Sequence, residues 1–295
     1  MKKAQLGNSL LLLLTAIIWG SAFVAQSVAQ DYIESFTIIC TRSIIGGMVL
    51  IPVIFVLGKW KKGFATKTEW IGGICCGIAL WAASGFQQVG MAYTTAGKAG
   101  FITALYVVIV PILGIFMRKR VSMAIWFCVA LAVFGLYLLC VPRGGFSLGA
   151  GDLLVLVCAL LFSIHILVID HFSPKGDGVV ISCIQFFVCG IISGVFMLLT
   201  EAPSVGNILE AKWALLYLGV LSSGVAYTLQ VVAQKNVNPT VASLIMCLES
   251  VVAVLAGWMI LGENLSTREI FGCALMFGAI VLAQIPMPSG KKGRK

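Results

Sequence analysis

The chain has 295 residues, 60% of them hydrophobic and 11% charged, with a mean hydropathy of +1.05. A soluble domain carries about 25% charged residues, so lipid rather than water must solvate most of this surface. The net charge of +9 is spread over short basic clusters that suit anionic headgroups and form no continuous platform for nucleic acid.

Ten apolar runs follow one another with short polar gaps. The predicted spans are Gly7 to Gln30, Ser35 to Leu57, Trp70 to Tyr93, Gly97 to Met117, Val121 to Val141, Gly151 to Ile169, Val179 to Thr200, Trp213 to Gln234, Thr240 to Leu261 and Ile270 to Ile285. Runs of about twenty residues, apolar on all sides, are helices and not the alternating strands of a barrel. The expected fold is therefore an all-α polytopic membrane protein with ten transmembrane helices. Lys2 and Lys3 precede the first run and Ser27–Val28–Ala29 imitates a cleavage site. Its length and the nine runs that follow favour retention as a helix.

Fifteen Lys and Arg fall on one side of this layout and four on the other, with Arg42 inside the second span. The positive-inside rule then puts both termini in the cytoplasm. Ten Cys stand almost entirely within apolar spans, where they act as small packing residues. Neither a disulfide framework nor a zinc site is indicated. Trp60, Trp70 and Trp213 mark span ends. Gly73-x-x-x-Gly77 and Gly190-x-x-x-Gly194 offer faces for close helix approach, and Pro52 and Pro111 predict bends.

The spans divide into two sets of five, giving repeats over 1–145 and 146–295. Thr15–Gly20 aligns with Cys158–Ser163 at a displacement of 143, which pairs Trp19 with Phe162. Arg118–Ser122 aligns with Gly262–Ser266 at 144. An odd number of spans per repeat inverts the second set relative to the first. Secondary transporters recurrently use this architecture, with the solute held at midplane between the repeats.

Glu249 stands in the middle of the ninth span, where a carboxylate costs about 2.5–3.5 kcal/mol even on the mild insertion scale. It is expected to face inward, as a proton site, as a partner for a cationic group, or locked to neighbouring hydroxyls. Arg42 either snorkels to headgroups or turns inward as a fork for a carboxylate. Gln26, Gln87, Gln88, Thr94, Thr95 and Lys98 form an outer polar group, and His165, Tyr227, Gln230 and Gln234 an inner one. Trp19, Trp81 and Tyr106 are candidate walls. The expected cavity is lined by Trp19, Arg42, Trp81, Gln88, Tyr106, Tyr227 and Glu249, with Glu249 as the coupling residue.

The residues carry no GxSxG, HExxH or P-loop, so no enzyme, metal or cofactor is expected. Oligomeric state is left open. A lipophilic-cation exporter and a non-transporting membrane scaffold are the competing readings.

Ile18–Phe23, Thr41–Arg42, Ala92–Ala99, Leu248–Ala253 and Gly257–Glu263 together resemble the drug/metabolite transporter superfamily, specifically its EamA-type ten-helix members, over nearly the whole chain. The resemblance implies two inverted five-helix repeats around a central cavity. It also implies export of an amino acid or other small metabolite across a bacterial inner membrane, by alternating access. Glu263 would stand at a helix end. Two positions depart from the family pattern. Ser250 replaces the Pro that often follows the ninth-helix Glu, and Lys119–Arg120 replace a common Gly–Glu.

Overall fold

The computed structural model describes residues 3–59, 65–94, 96–117, 121–141, 149–261 and 266–284. Thr95, Arg118–Arg120, Glu263 and the side chain of Lys98 lie outside the described residues. All regular structure among the described residues is helical.

The first three spans are α1 (Lys3–Gln30), α2 (Ser35–Val56) and α3 (Lys67–Met91). The fourth is split into α4 (Ala96–Ala104) and α5 (Tyr106–Phe116), followed by α6 (Met123–Cys140), α7 (Ala150–Phe172) and α8 (Gly178–Thr200). A short α9 (Val205–Glu210) precedes α10 (Lys212–Leu216), a π-helical stretch over Tyr217–Tyr227 and α11 (Thr228–Gln234). The chain ends in α12 (Pro239–Met246), α13 (Glu249–Leu261) and α14 (Thr267–Gln284). Eight of the described spans are long and apolar enough to cross a bilayer. The fifth and tenth expected spans correspond to α6, whose apolar part Met123–Leu139 is shorter, and to α14, which opens on Arg268 and Glu269. These two helices pack on each other.

Three interruptions depart from plain helices. The α4–α5 break falls at Leu105, six residues before Pro111, where Leu105 N bonds Ile102 O and Val108 N bonds Leu105 O, each three residues back. The α12–α13 break at Cys247–Leu248 arises without any proline, since Ser250 stands in that region and its hydroxyl donates to Gly100 O at 3.4 Å. The eleven-residue π stretch widens the eighth span. Stretches of this kind cluster at functional sites. Pro52, by contrast, sits inside an unbroken α2.

Helix ends are held by specific groups. Thr66 and Glu69 form a reciprocal capping box on α3, and Asp177 accepts from Val179 N at 2.9 Å to cap α8. Glu34 occupies the N-cap position of α2 without a side-chain bond. Its function passes to Glu201, beyond α8, which accepts from Phe36 N, Thr37 N and Thr37 Oγ1 at 2.6, 2.8 and 2.7 Å. A carboxylate on three donors at a helix N-terminus is a favourable electrostatic arrangement. At the other end of the same helix pair, Lys59 forms an ion pair with Asp177, and Glu69 Oε1 accepts from Asp177 N at 2.8 Å.

Glycine sets the closest approaches. A Cβ on Gly73 would stand 2.5 Å from Ile184 Cβ, and one on Gly77 2.7 Å from Val188 Cβ. The first small-residue face thus packs on α8, while Gly190 faces Ile44 of α2. Gly85, in contrast, leaves 3.7 Å to the nearest atom, on Phe36. Gly73→Ala gains about 1 kcal/mol of helix propensity but should lose ~1–3 kcal/mol to overpacking. Thermal unfolding in detergent should show a lower midpoint for Gly73→Ala than for the control Gly85→Ala.

Candidate functional site

A central cavity opens between α1, α2, α3, α4–α5, α7, the π stretch, α11 and α12–α13. Trp19, Phe23, Gln26, Arg42, Gln87, Thr103 and Tyr106 line it from earlier in the chain. Phe162, Ile166, Ser222, Tyr227, Gln230, Met246 and Glu249 line it from later. Its free volume is about 40 Å³, room for about three waters at ~10–15 Å³ each. An organic solute of several heavy atoms enters only when these helices separate.

The lining residues are related by sequence interval. Trp19 and Phe162, Phe23 and Ile166, Gln87 and Gln230, Thr103 and Met246, and Tyr106 and Glu249 are each 143 positions apart. The last pair touches: Tyr106 Oη donates to Glu249 Oε1 at 3.0 Å. Each member is the first residue after its helix break, at the start of α5 and of α13. The breaks therefore carry both side chains to the same point in the bundle.

Arg42 is buried, at 5% exposure, and turns inward. Its Nη1 donates to Gln26 Oε1 at 3.1 Å, and among the described residues no carboxylate lies within ion-pair distance of it. Glu249 is 4% exposed and is bonded through Tyr106. Two ionisable groups of opposite sign thus share one low-dielectric cavity without forming a pair, so each retains an interaction that a ligand can satisfy. Close behind Glu249, Gly20 lets α1 lie against α13; a Cβ there would be 2.5 Å from Glu249 O. Trp19 and Tyr227 form an aromatic wall, with ring centroids 4.4 Å apart and planes at 56°.

Trp19, Arg42, Tyr106, Tyr227 and Glu249 therefore converge on one cavity, and Trp81 and Gln88 lie outside it. Trp81 lines a separate apolar pocket with Phe36, Phe86 and Phe196. Gln88 pairs with Gln30, donating to its Oε1 at 3.0 Å. The reason is helical phase. Successive residues are 100° apart, so Gln87 facing the cavity turns Gln88 away and puts Trp81 about 120° round the helix. Sequence reading missed Phe23, Thr103, Ile166, Ser222 and Met246 as lining residues. Phe162 had a signal, its alignment with Trp19; Thr103 and Met246 are each other's counterpart at the interval of 143, and Ile166 is that of Phe23, so neither pair follows from a residue already named. Ser222 had none, because the π stretch shifts the phase on which such a reading depends. His165, assigned with Tyr227 to an inner polar group, bonds Gln185 through Nε2 at 3.2 Å.

Known proteins supply the family. The sequence profile of the EamA-like transporter family matches residues 7–141 and again residues 149–284. An uncharacterized transporter of Archaeoglobus fulgidus is 32% identical over 280 residues, covering 93% of this chain and 84% of its own length. The uncharacterized transporter YoaV of Bacillus subtilis is 23% identical, covering 94% of both chains. A chloroplastic WAT1-related protein of Arabidopsis thaliana is 24% identical over 91% of this chain and 67% of its own. One solved crystal structure superposes with a TM-score of 0.80 at 18% identity, covering 94% of this chain and 96% of that one. That likeness speaks for the fold alone. With its two profile matches together taking in most of the sequence, the chain belongs to the EamA-like transporter family.

Proposed function

We propose that this secondary transporter of small organic solutes exports an amino acid or a related zwitterionic metabolite by alternating access. The observation that carries this reading is the meeting of Arg42 and Glu249, unpaired with each other, in one small aromatic-walled cavity. Arg42 recognises the carboxylate of the solute as a fixed fork. Glu249 recognises its ammonium group, or binds the coupling proton, which removes the charge and with it the desolvation cost. A buried guanidinium repels lipophilic cations, so the charge set favours a zwitterion over that class of solute.

Alternation follows from the second part of the proposal: ten spans arranged as inverted repeats over 1–145 and 146–295. Support comes from α2 and α8, which begin 143 residues apart. Glu201 meets the start of α2, and Asp177 at the start of α8 meets Lys59 beyond the end of α2, so the two helices run antiparallel. The contacts repeat by exchange as well: α3 packs on α7, and its counterpart, the π stretch with α11, packs on α1. Two inverted copies presenting related residues to one cavity give two closures of comparable energy, related by a pseudo-two-fold rotation. The basic clusters support placing both termini in the cytoplasm of a bacterial inner membrane.

A thermal-shift panel of amino acids on the purified protein should identify a stabilising ligand through linkage. In proteoliposomes, Glu249→Gln should abolish flux of that amino acid driven by a pH gradient while the unfolding midpoint is kept; persistent gradient-driven flux would remove Glu249 from coupling. Arg42→Gln should weaken binding of the amino acid by about tenfold or more, from the ~1.5–3 kcal/mol of a charge-assisted bond. The matching amine without a carboxylate should lose little. Equal losses for both compounds would count against carboxylate recognition.

A further inference from the structure

Beneath the cavity, on the side where α8 starts and where Lys59, Lys175 and Lys235 lie, three helices hold polar side chains whose atoms have no protein partner. On α7, His165 Nδ1 is unpaired; on α8, Gln185 Nε2 and Ser182 Oγ; on α11, Gln230 Oε1 and Gln234 Oε1. All five residues are at most 1% exposed. They are linked to each other and to the cavity. His165 meets Gln185 at 3.2 Å, its ring centroid is 6.1 Å from that of Tyr227, and Gln234 donates to Ile166 O at 3.3 Å. Tyr227, Ile166 and Gln230 are themselves cavity lining. Toward the other end, Arg42 with Gln26, Gln87 with Thr103 and Gln88 with Gln30 close across helices, while Trp81 Nε1, Ser84 Oγ, Gln88 Oε1 and Ser193 Oγ are unpaired there without a link among them to the cavity.

Orphaned polar atoms are expensive within a bilayer-spanning bundle, each on the order of a few kcal/mol. Five such atoms on α7, α8 and α11 offer the polar partners that ordered water needs, two to four per molecule. We propose that His165, Ser182, Gln185, Gln230 and Gln234 form a water-holding passage that connects the cavity to the basic end of the bundle. It would be the route by which the coupling proton leaves Glu249 toward that side. The functional part rests on the coupling role given to Glu249; the passage itself does not.

Trp81 provides the dry comparator. Its indole Nε1 is also unpaired, but it sits in an apolar pocket that offers water no second partner. Radiolytic hydroxyl labelling of the protein in lipid nanodiscs, read by mass spectrometry, should modify His165 about tenfold faster than Trp81, since hydroxyl radicals form from nearby water and buried water follows polar partners. Gln185→Leu, which removes the unpaired Nε2 and the Oε1 that holds His165, should lower the His165 rate by about tenfold. Labelling of His165 no faster than that of Trp81 would overturn the passage, as would an unchanged His165 rate in Gln185→Leu. The measurement reads water and not flux, so loss of the passage and loss of the coupling role of Glu249 are told apart.

Discussion

The hydrogen bond between Tyr106 and Glu249 joins distant parts of the chain at a depth where lipid offers neither group a partner. A carboxyl there must be met by protein, and the hydrogen bond it accepts comes from a residue 143 positions earlier. Both residues are delivered by helix breaks, so the breaks, the bond and the cavity are one arrangement. If either helix ran straight, its phase past the break would shift and the facing pair would part. Arg42, Trp19 and Tyr227 then fill the walls around a point that those two breaks define.

That centre exists because the helices around it approach closely. Gly20 admits the backbone of Glu249, Gly46 and Gly219 bring α2 against the π stretch, and Gly73 and Gly77 seat α3 on α8. Without a hydrophobic drive between helices in lipid, such backbone proximity and the dispersion it permits are the main source of association. The cavity is small for the same reason: the side chains that bound it are carried on helices with little between them.

Chemistry that lipid forbids was legible in the sequence. Arg42 and Glu249 are conspicuous because charge is rare in an apolar run, and Trp19 because it stands away from the interfacial belt. Phase was not legible. Gln87 and Gln88 are equivalent in composition, and only the packing of α3 decides between them. Trp81 looked like a wall because of its size, yet the geometry of α3 turns it toward Phe36 and Phe196. Ser250 stands where the family often has proline, yet the helix breaks there by local tightening, with Leu248 N bonded to Ile245 O and Ser250 N to Cys247 O, each three residues back. The π stretch likewise leaves no compositional mark. Nor was the partner of Arg42 foreseeable, because Gln26 reaches it from a different helix.

The carboxylates at the two ends of α2 and α8 have a mechanical consequence. Glu201 grips one end of the pair, and Asp177 with Lys59 and Glu69 grips the other. Two rods fastened at both tips cannot slide or splay past one another without breaking charged contacts. They form a keel, and in the proposed cycle the helices outside these grips, α1, α4–α5 and α12–α13 among them, are the ones free to pivot around it.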